Sequence, residues 1–210
     1  MAGRARPALL RVPRALGYAR RAMDAFSYLS VLLSIILGLA ITEVLQGFRG
    51  LMHARSRTII YWPVIAWGVL VIVIAVQGWW TMFGYRHIED WNFIEFSVVL
   101  LQTIVVYLLA ALALPDIHGD AAVDLRHHYY EHSKWFFALL LTLIFVSLLK
   151  SLAVEGKLPD SADLAFHGLF AALSLTGFLT RAPRFHEALA ALGLLLMGAY
   201  IATLFVHLHR

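Results

Sequence analysis

Asp124, His128 and His132 stand four residues apart, a spacing that on a helix stacks three side chains along one face. Two neutral imidazoles and a carboxylate form a donor set for a divalent metal such as zinc. His128-Tyr129-Tyr130-Glu131-His132 also spells H-x-x-E-H, the inverted zincin pattern. That pattern fixes three positions only, and a protease needs a third ligand and a substrate cleft. The competing reading is an interfacial belt of His and Tyr ahead of Trp135-Phe136-Phe137, because amphipathic rings collect at the membrane–water boundary.

A second set consists of Glu43, Glu95 and Lys150, with Gln77, Gln102 and His167 as companions, set in otherwise apolar runs. An ionised side chain at mid-bilayer costs at least about 2.5–3.5 kcal/mol, so such groups are functional candidates by default. Glu95 and Gln102 are seven apart and share a helix face. Alternating spans bring Gln77, Glu95, Lys150 and His167 to the same side. A Glu95–Lys150 pair would neutralise both charges in a dry site; alternatively each side chain snorkels to the headgroups.

The other histidines (His53, His87, His118, His186, His207 and His209) fall near span ends. His167 and His207 lie on one side and could in principle ligate a haem, but nothing else in the sequence supports that. There is no Gly-rich phosphate loop, no G-x-S-x-G and no H-E-x-x-H, and no residue is assigned as catalytic. With no cysteine, disulfides, thiolate catalysis and cysteine-ligated metals are excluded. The expected cofactor list is therefore empty apart from the divalent metal.

The elements that must position these residues are membrane spans. Of 210 residues 61% are hydrophobic and 14% charged, where a soluble domain is nearer a quarter charged. A helix needs about 20 apolar residues to cross a bilayer, and six runs qualify, at about 26–48, 60–84, 93–114, 135–154, 164–180 and 185–208. The expected fold is an all-α integral membrane bundle of about six transmembrane helices, with residues 25–210 as one domain. Open strands are ruled out because lipid cannot satisfy their backbone groups. The stretch 116–134 reads as the one sizeable loop, and Arg181-Ala182-Pro183-Arg184 as the turn of a tight hairpin between spans five and six.

Residues 1–24 form an Arg-rich tail. Six of the seventeen basic residues lie in the first 22 positions, leaving eleven basic against thirteen acidic beyond them. Nucleic-acid binding accordingly has no support in the body of the chain. Met23-Asp24 abuts the first span, so Met23 is the expected true start, with a transit peptide as the alternative. Let side A be the side on which the first span begins. Side B then holds Arg49, Arg55, Arg57, Arg126, Lys134, Arg181 and Arg184, which puts B in the cytoplasm when the tail is left out. Counting the tail reverses the result.

Span one carries Ser30, Ser34, Gly38 and Thr42, and span five Gly168, Ala172 and Thr176, each four apart. Small residues in a row let membrane helices approach closely. The expectation is tight packing, within the protomer or between copies in a homo-oligomer.

Met23-Asp24-AFSYLSVLLSIILGLAIT-Glu43, the Trp79-Trp80-x-x-Phe83-Gly84 end of span two and DLRHHYYEHSKWFF from Asp124 resemble a family of bacterial polytopic membrane proteins to which no activity is assigned. The resemblance implies a bacterial inner-membrane location. Ala25-Phe26-Ser27, followed by Ala40-Ile41-Thr42, more faintly resembles the six-span bacterial and lysosomal potassium channels. Tyr28 stands where that family has its hallmark aspartate, and no filter residue carries over. The function expected from the sequence is a small channel- or transporter-like membrane component. A metal-binding sensor or enzyme centred on His128 and His132, and a structural or assembly subunit, are the alternatives.

Overall fold

A computed structural model of the chain describes residues 25–88, 90–117, 119 and 122–204. The tail, Met23, His118, His207 and His209 lie outside them, and with them the start-site and haem readings. Six helices make up almost all of the rest: α1 (Ala25–His53), α2 (Trp62–Met82), α3 (Phe93–Ala113), α4 (Leu125–Lys150), α5 (Ser161–Leu179) and α6 (Pro183–Leu204). All six are long and apolar enough to cross a bilayer. The protein is a multi-pass membrane protein whose apolar exterior meets lipid: Val31, Ile35, Leu39, Phe145, Leu179 and Leu195 all point outward.

Local chemistry starts these helices where they start. Pro63 sits in the first turn of α2, where its missing N–H costs no hydrogen bond. Asn92 and Glu95 form a reciprocal capping box at α3, and Asp160 caps α5 by accepting from the Asp163 N–H at 2.9 Å. Beyond Lys150 the chain widens into one π turn, Ser151–Glu155, and stops at Gly156 with φ +68°, a conformation glycine adopts without penalty.

One expected loop is a helix instead. Residues 125–134 are the first turns of α4, because Asp124 accepts the backbone N–H groups of Arg126 and His127 at 2.9 and 3.0 Å. A carboxylate in that position satisfies donors that would otherwise be orphaned. A two-residue parallel bridge, β1 (Thr58–Ile59) with β2 (Val123–Asp124), ties the α1–α2 link to the start of α4. Arg57 adds a side-chain bond to the Gly119 carbonyl across the same link.

α2 lies at the centre, packed on α1, α3 and α6; α3 packs on α1 and α4, and α4 on α5. The buried stripe of α1 is Leu33, Leu37, Ala40 and Val44. The row Ser30, Ser34, Gly38 and Thr42 lies beside it: Gly38 and Thr42 are exposed, Ser30 and Ser34 half-buried. Gly38 and Gly168 have open space where a Cβ would go, and Thr42 and Thr176 return their hydroxyl protons to carbonyls of their own helices. Within the protomer these rows do not mediate close approach. Other glycines do. A Cβ on Gly177 would stand 2.5 Å from the Phe137 ring, and one on Gly47 2.6 Å from Leu114. Gly177→Ala should therefore destabilise the bundle by about 1–3 kcal/mol through overpacking, while Gly38→Ala should leave a protomer's thermal unfolding in detergent unchanged.

Candidate functional site: a polar vestibule on side A

The side-A ends of α2, α4, α5 and α6 do not close on one another. They enclose a cavity of about 460 Å³, lined by Gln77, Thr81, Lys150, Asp163, His167 and Tyr200 among others. That volume lies within the usual range for small-ligand sites. Ser147, His167 and Tyr200 form its floor and also border a second, mostly apolar cavity of about 90 Å³ between Leu140, Leu143, Phe170 and Met197.

The floor is a chain of hydrogen bonds. His167 Nδ1 lies 2.9 Å from the Asp163 carbonyl and 3.1 Å from the Asp163 carboxylate. A carbonyl oxygen only accepts, so Nδ1 carries the proton. In the neutral ring Nε2 is then a lone pair, and Ser147 Oγ donates to it at 3.1 Å. Tyr200 donates its phenolic proton to the Asp163 carboxylate at 2.9 Å. The local sequence makes this possible: Asp163 and His167 are one turn apart on α5, and Ser147 and Lys150 lie three apart on α4 and line the same cavity. Lys150 makes no ion pair among the described residues; its ammonium sits 5.6 Å from the centroid of the Tyr85 ring.

The path inward ends on aromatic rings. Trp67, 2% exposed, meets Phe136 and Phe137 edge-to-face at 5.4 Å and rests on Gly193, whose missing side chain admits the indole. Toward side B, His186 is fully buried. It accepts from Tyr129 O–H at 2.8 Å and donates through Nε2 to the Thr180 carbonyl at 2.7 Å. Tyr61, at the foot of α2, shares a 3.2 Å hydroxyl contact with Tyr130, and burial holds its phenol above the ordinary range.

Three of the polar residues picked out in the sequence, Gln77, Lys150 and His167, thus meet in one cavity, and Gln102 borders the apolar cavity beneath. Glu95 does not join them. Its carboxylate is engaged with Asn92 in the capping box, and it forms no ion pair with Lys150. Glu43 is half-buried on α1, away from this cavity. Asp124, His128 and His132 are not gathered round a common point: Asp124 caps α4, and the two imidazoles stack at 4.6 Å with His132 Nδ1 donating to the His128 carbonyl at 3.0 Å. Among the described residues no three His, Asp or Glu side chains are grouped to hold a metal.

Ser147, Asp163 and Tyr200 went unmarked in the sequence. The Asp-x-x-x-His spacing of 163 and 167 was the available signal, since i and i+4 are neighbours on a helix. No family model matches the chain, and no curated protein or solved structure matches it either.

Proposed function

We propose that the protein is a transporter-like membrane component that takes a small carboxylate-class anion into the side-A vestibule. The observation that carries this reading is a 460 Å³ cavity that reaches into the bundle from one side only, lined by Lys150, by Glu155 and by Asp163, whose carboxylate is already engaged by His167 and Tyr200. Trp67 and the Tyr129–His186 pair pack the other half. A vestibule blocked halfway suits a carrier with one gate shut better than an open pore. Lys150, which forms no ion pair among the described residues, is the natural partner for the anion.

The test is uptake of radiolabelled lactate by proteoliposomes. Saturable uptake above empty liposomes is expected, and Lys150→Gln should weaken the apparent affinity about 10- to 100-fold, the worth of one charge-assisted hydrogen bond of about 1.5–3 kcal/mol. Uptake equal to that of empty liposomes, with the protein folded, sinks the reading.

With translation beginning at Met23, we assign side B to the cytoplasm on the strength of its basic residues, and the membrane to a bacterial inner membrane on the family resemblance, so the vestibule faces outward. Reporter fusions after residues 55 and 182 should then report the cytoplasm and those after 88 and 158 the opposite compartment. The outward row Ser34, Gly38 and Thr42 is read as the contact surface for a second copy. Gly38→Ile should lower the yield of cross-linked dimer in membranes; an unchanged yield removes that surface from consideration.

A further inference from the structure

We propose that Ser147, His167 and Asp163 form a nucleophile–base–orienter set that hydrolyses short-chain acyl esters at the floor of the vestibule. The inference rests on that cavity being open to side A, and its product, a short carboxylate, belongs to the solute class assigned to the site.

The behaviour of the hydroxyls motivates it. Thr42, Thr142, Thr176 and Thr203 each give their proton to the carbonyl four residues back on their own helix, the usual outlet for a hydroxyl in an apolar span. Ser147 crosses to another helix and meets an imidazole nitrogen at 3.1 Å. The far nitrogen of that ring is fixed by Asp163 at 3.1 Å, and Asp163 is in turn held by Tyr200 at 2.9 Å. A serine within hydrogen-bond reach of a base, with the base oriented by a third group, is the arrangement that makes a hydroxyl nucleophilic. His167 is 9% exposed, so its ring is not freely solvated.

In the reaction Ser147 Oγ bonds to the ester carbonyl carbon as its proton passes to His167 Nε2. The carbon–alkoxide bond breaks, and the alkoxide leaves with that proton. Water entering from the vestibule then attacks the acyl-serine, giving one proton to His167. Oγ departs and regains it, and the free carboxylic acid is released. Lys150, one turn along α4 and lining the same cavity, supplies positive charge for the developing oxyanion. The apolar cavity beyond Ser147, lined by Leu140, Leu143 and Phe170, has about 90 Å³ of space, which restricts the acyl group to a short chain. Asp163 and Tyr200 are positioning residues, since neither touches the reacting atoms.

The test uses the full-length protein in detergent with p-nitrophenyl butyrate as substrate and a short-chain alkyl fluorophosphonate as covalent probe. Fluorophosphonate adduct on the Ser147 peptide is expected, with butyrate hydrolysed well above the palmitate ester. Ser147→Ala should abolish the adduct and return hydrolysis to the rate of protein-free micelles. His167→Gln should lower kcat by about 10³-fold or more, and Asp163→Asn should lower kcat while leaving KM within about twofold. Folding of each variant is checked by gel filtration and thermal unfolding. Folded wild type that takes no adduct and hydrolyses no faster than Ser147→Ala overturns the proposal. Maleimide labelling of Thr81→Cys in the same preparation separates the two failures: with labelling, only the hydrolase is lost; without it, the open vestibule is lost as well.

Discussion

Replacing Trp67 by alanine should cost about 3–5 kcal/mol of stability, the largest effect expected from any single truncation in the bundle. The indole is 2% exposed, and it joins α2 to both α4 and α6: Phe136 and Phe137 lie at 5.4 Å and Gly193 beneath its ring. Lipid cannot reach the void left behind, so the lost dispersion contacts are not replaced. Trp67 also floors the apolar cavity. Its removal should extend the inward path toward side B and raise passive leak through proteoliposomes. Thermal unfolding in detergent measures the first effect and dye efflux the second. Trp67→Phe, which keeps an aromatic body, should recover part of both. A Trp67→Ala protein as stable and as tight as wild type would show that this ring is no plug.

His186→Leu should be the next most damaging change, at about 2–4 kcal/mol. His186 joins α4 to the α5–α6 turn through Tyr129 at 2.8 Å and the Thr180 carbonyl at 2.7 Å. A leucine of similar bulk fills the space but strands one buried hydroxyl and one carbonyl, at about 1–3 kcal/mol each. Tyr129→Phe alone removes one partner of the pair and should cost less. The pair His186→Leu with Tyr129→Phe should be milder than the sum of the singles, because the stranded hydroxyl is gone. Additive losses in that cycle would mean that the two side chains are not coupled.

Much of the architecture could be read in the sequence, because six apolar runs of spanning length admit only helices in lipid. The start of α4 is hidden in the sequence for a specific reason. Residues 125–134 are polar and aromatic, so hydrophobicity places the span at 135, whereas the helix begins at the cap that Asp124 supplies. The same capping role explains why Asp124 is not presented to His128 and His132 as a ligand, and the capping box at α3 explains why Glu95 does not pair with Lys150. The two-residue bridge at Thr58–Ile59 is too short to leave a periodic signal.

The site was legible in part. Gln77, Lys150 and His167 stood out because a bilayer makes polar groups costly, and the alternation of spans put them on one side. Asp163 was hidden by its position just before the expected start of span five. Ser147 and Tyr200 are ordinary residues of membrane helices until a partner on another helix is known. His186, a span-end histidine in the sequence, is fully buried because the tight α5–α6 turn folds it back beneath α4, a long-range contact that spacing along one chain does not reveal.

Cysteine accessibility in membranes tests the central claim, an anion-binding vestibule open on side A alone. The chain has no native cysteine, so single replacements give clean signals. Thr81→Cys and Val154→Cys, both in the vestibule lining, should react with a membrane-impermeant maleimide added from side A and be protected by excess lactate. Ser56→Cys, exposed in the α1–α2 link, should react only from side B, and Leu192→Cys, on the lipid-facing surface of α6, from neither. Labelling of Thr81→Cys and Val154→Cys from the same side as Ser56→Cys, or from no side at all, would contradict the vestibule; labelling from side A that lactate leaves untouched would contradict its role as the anion site.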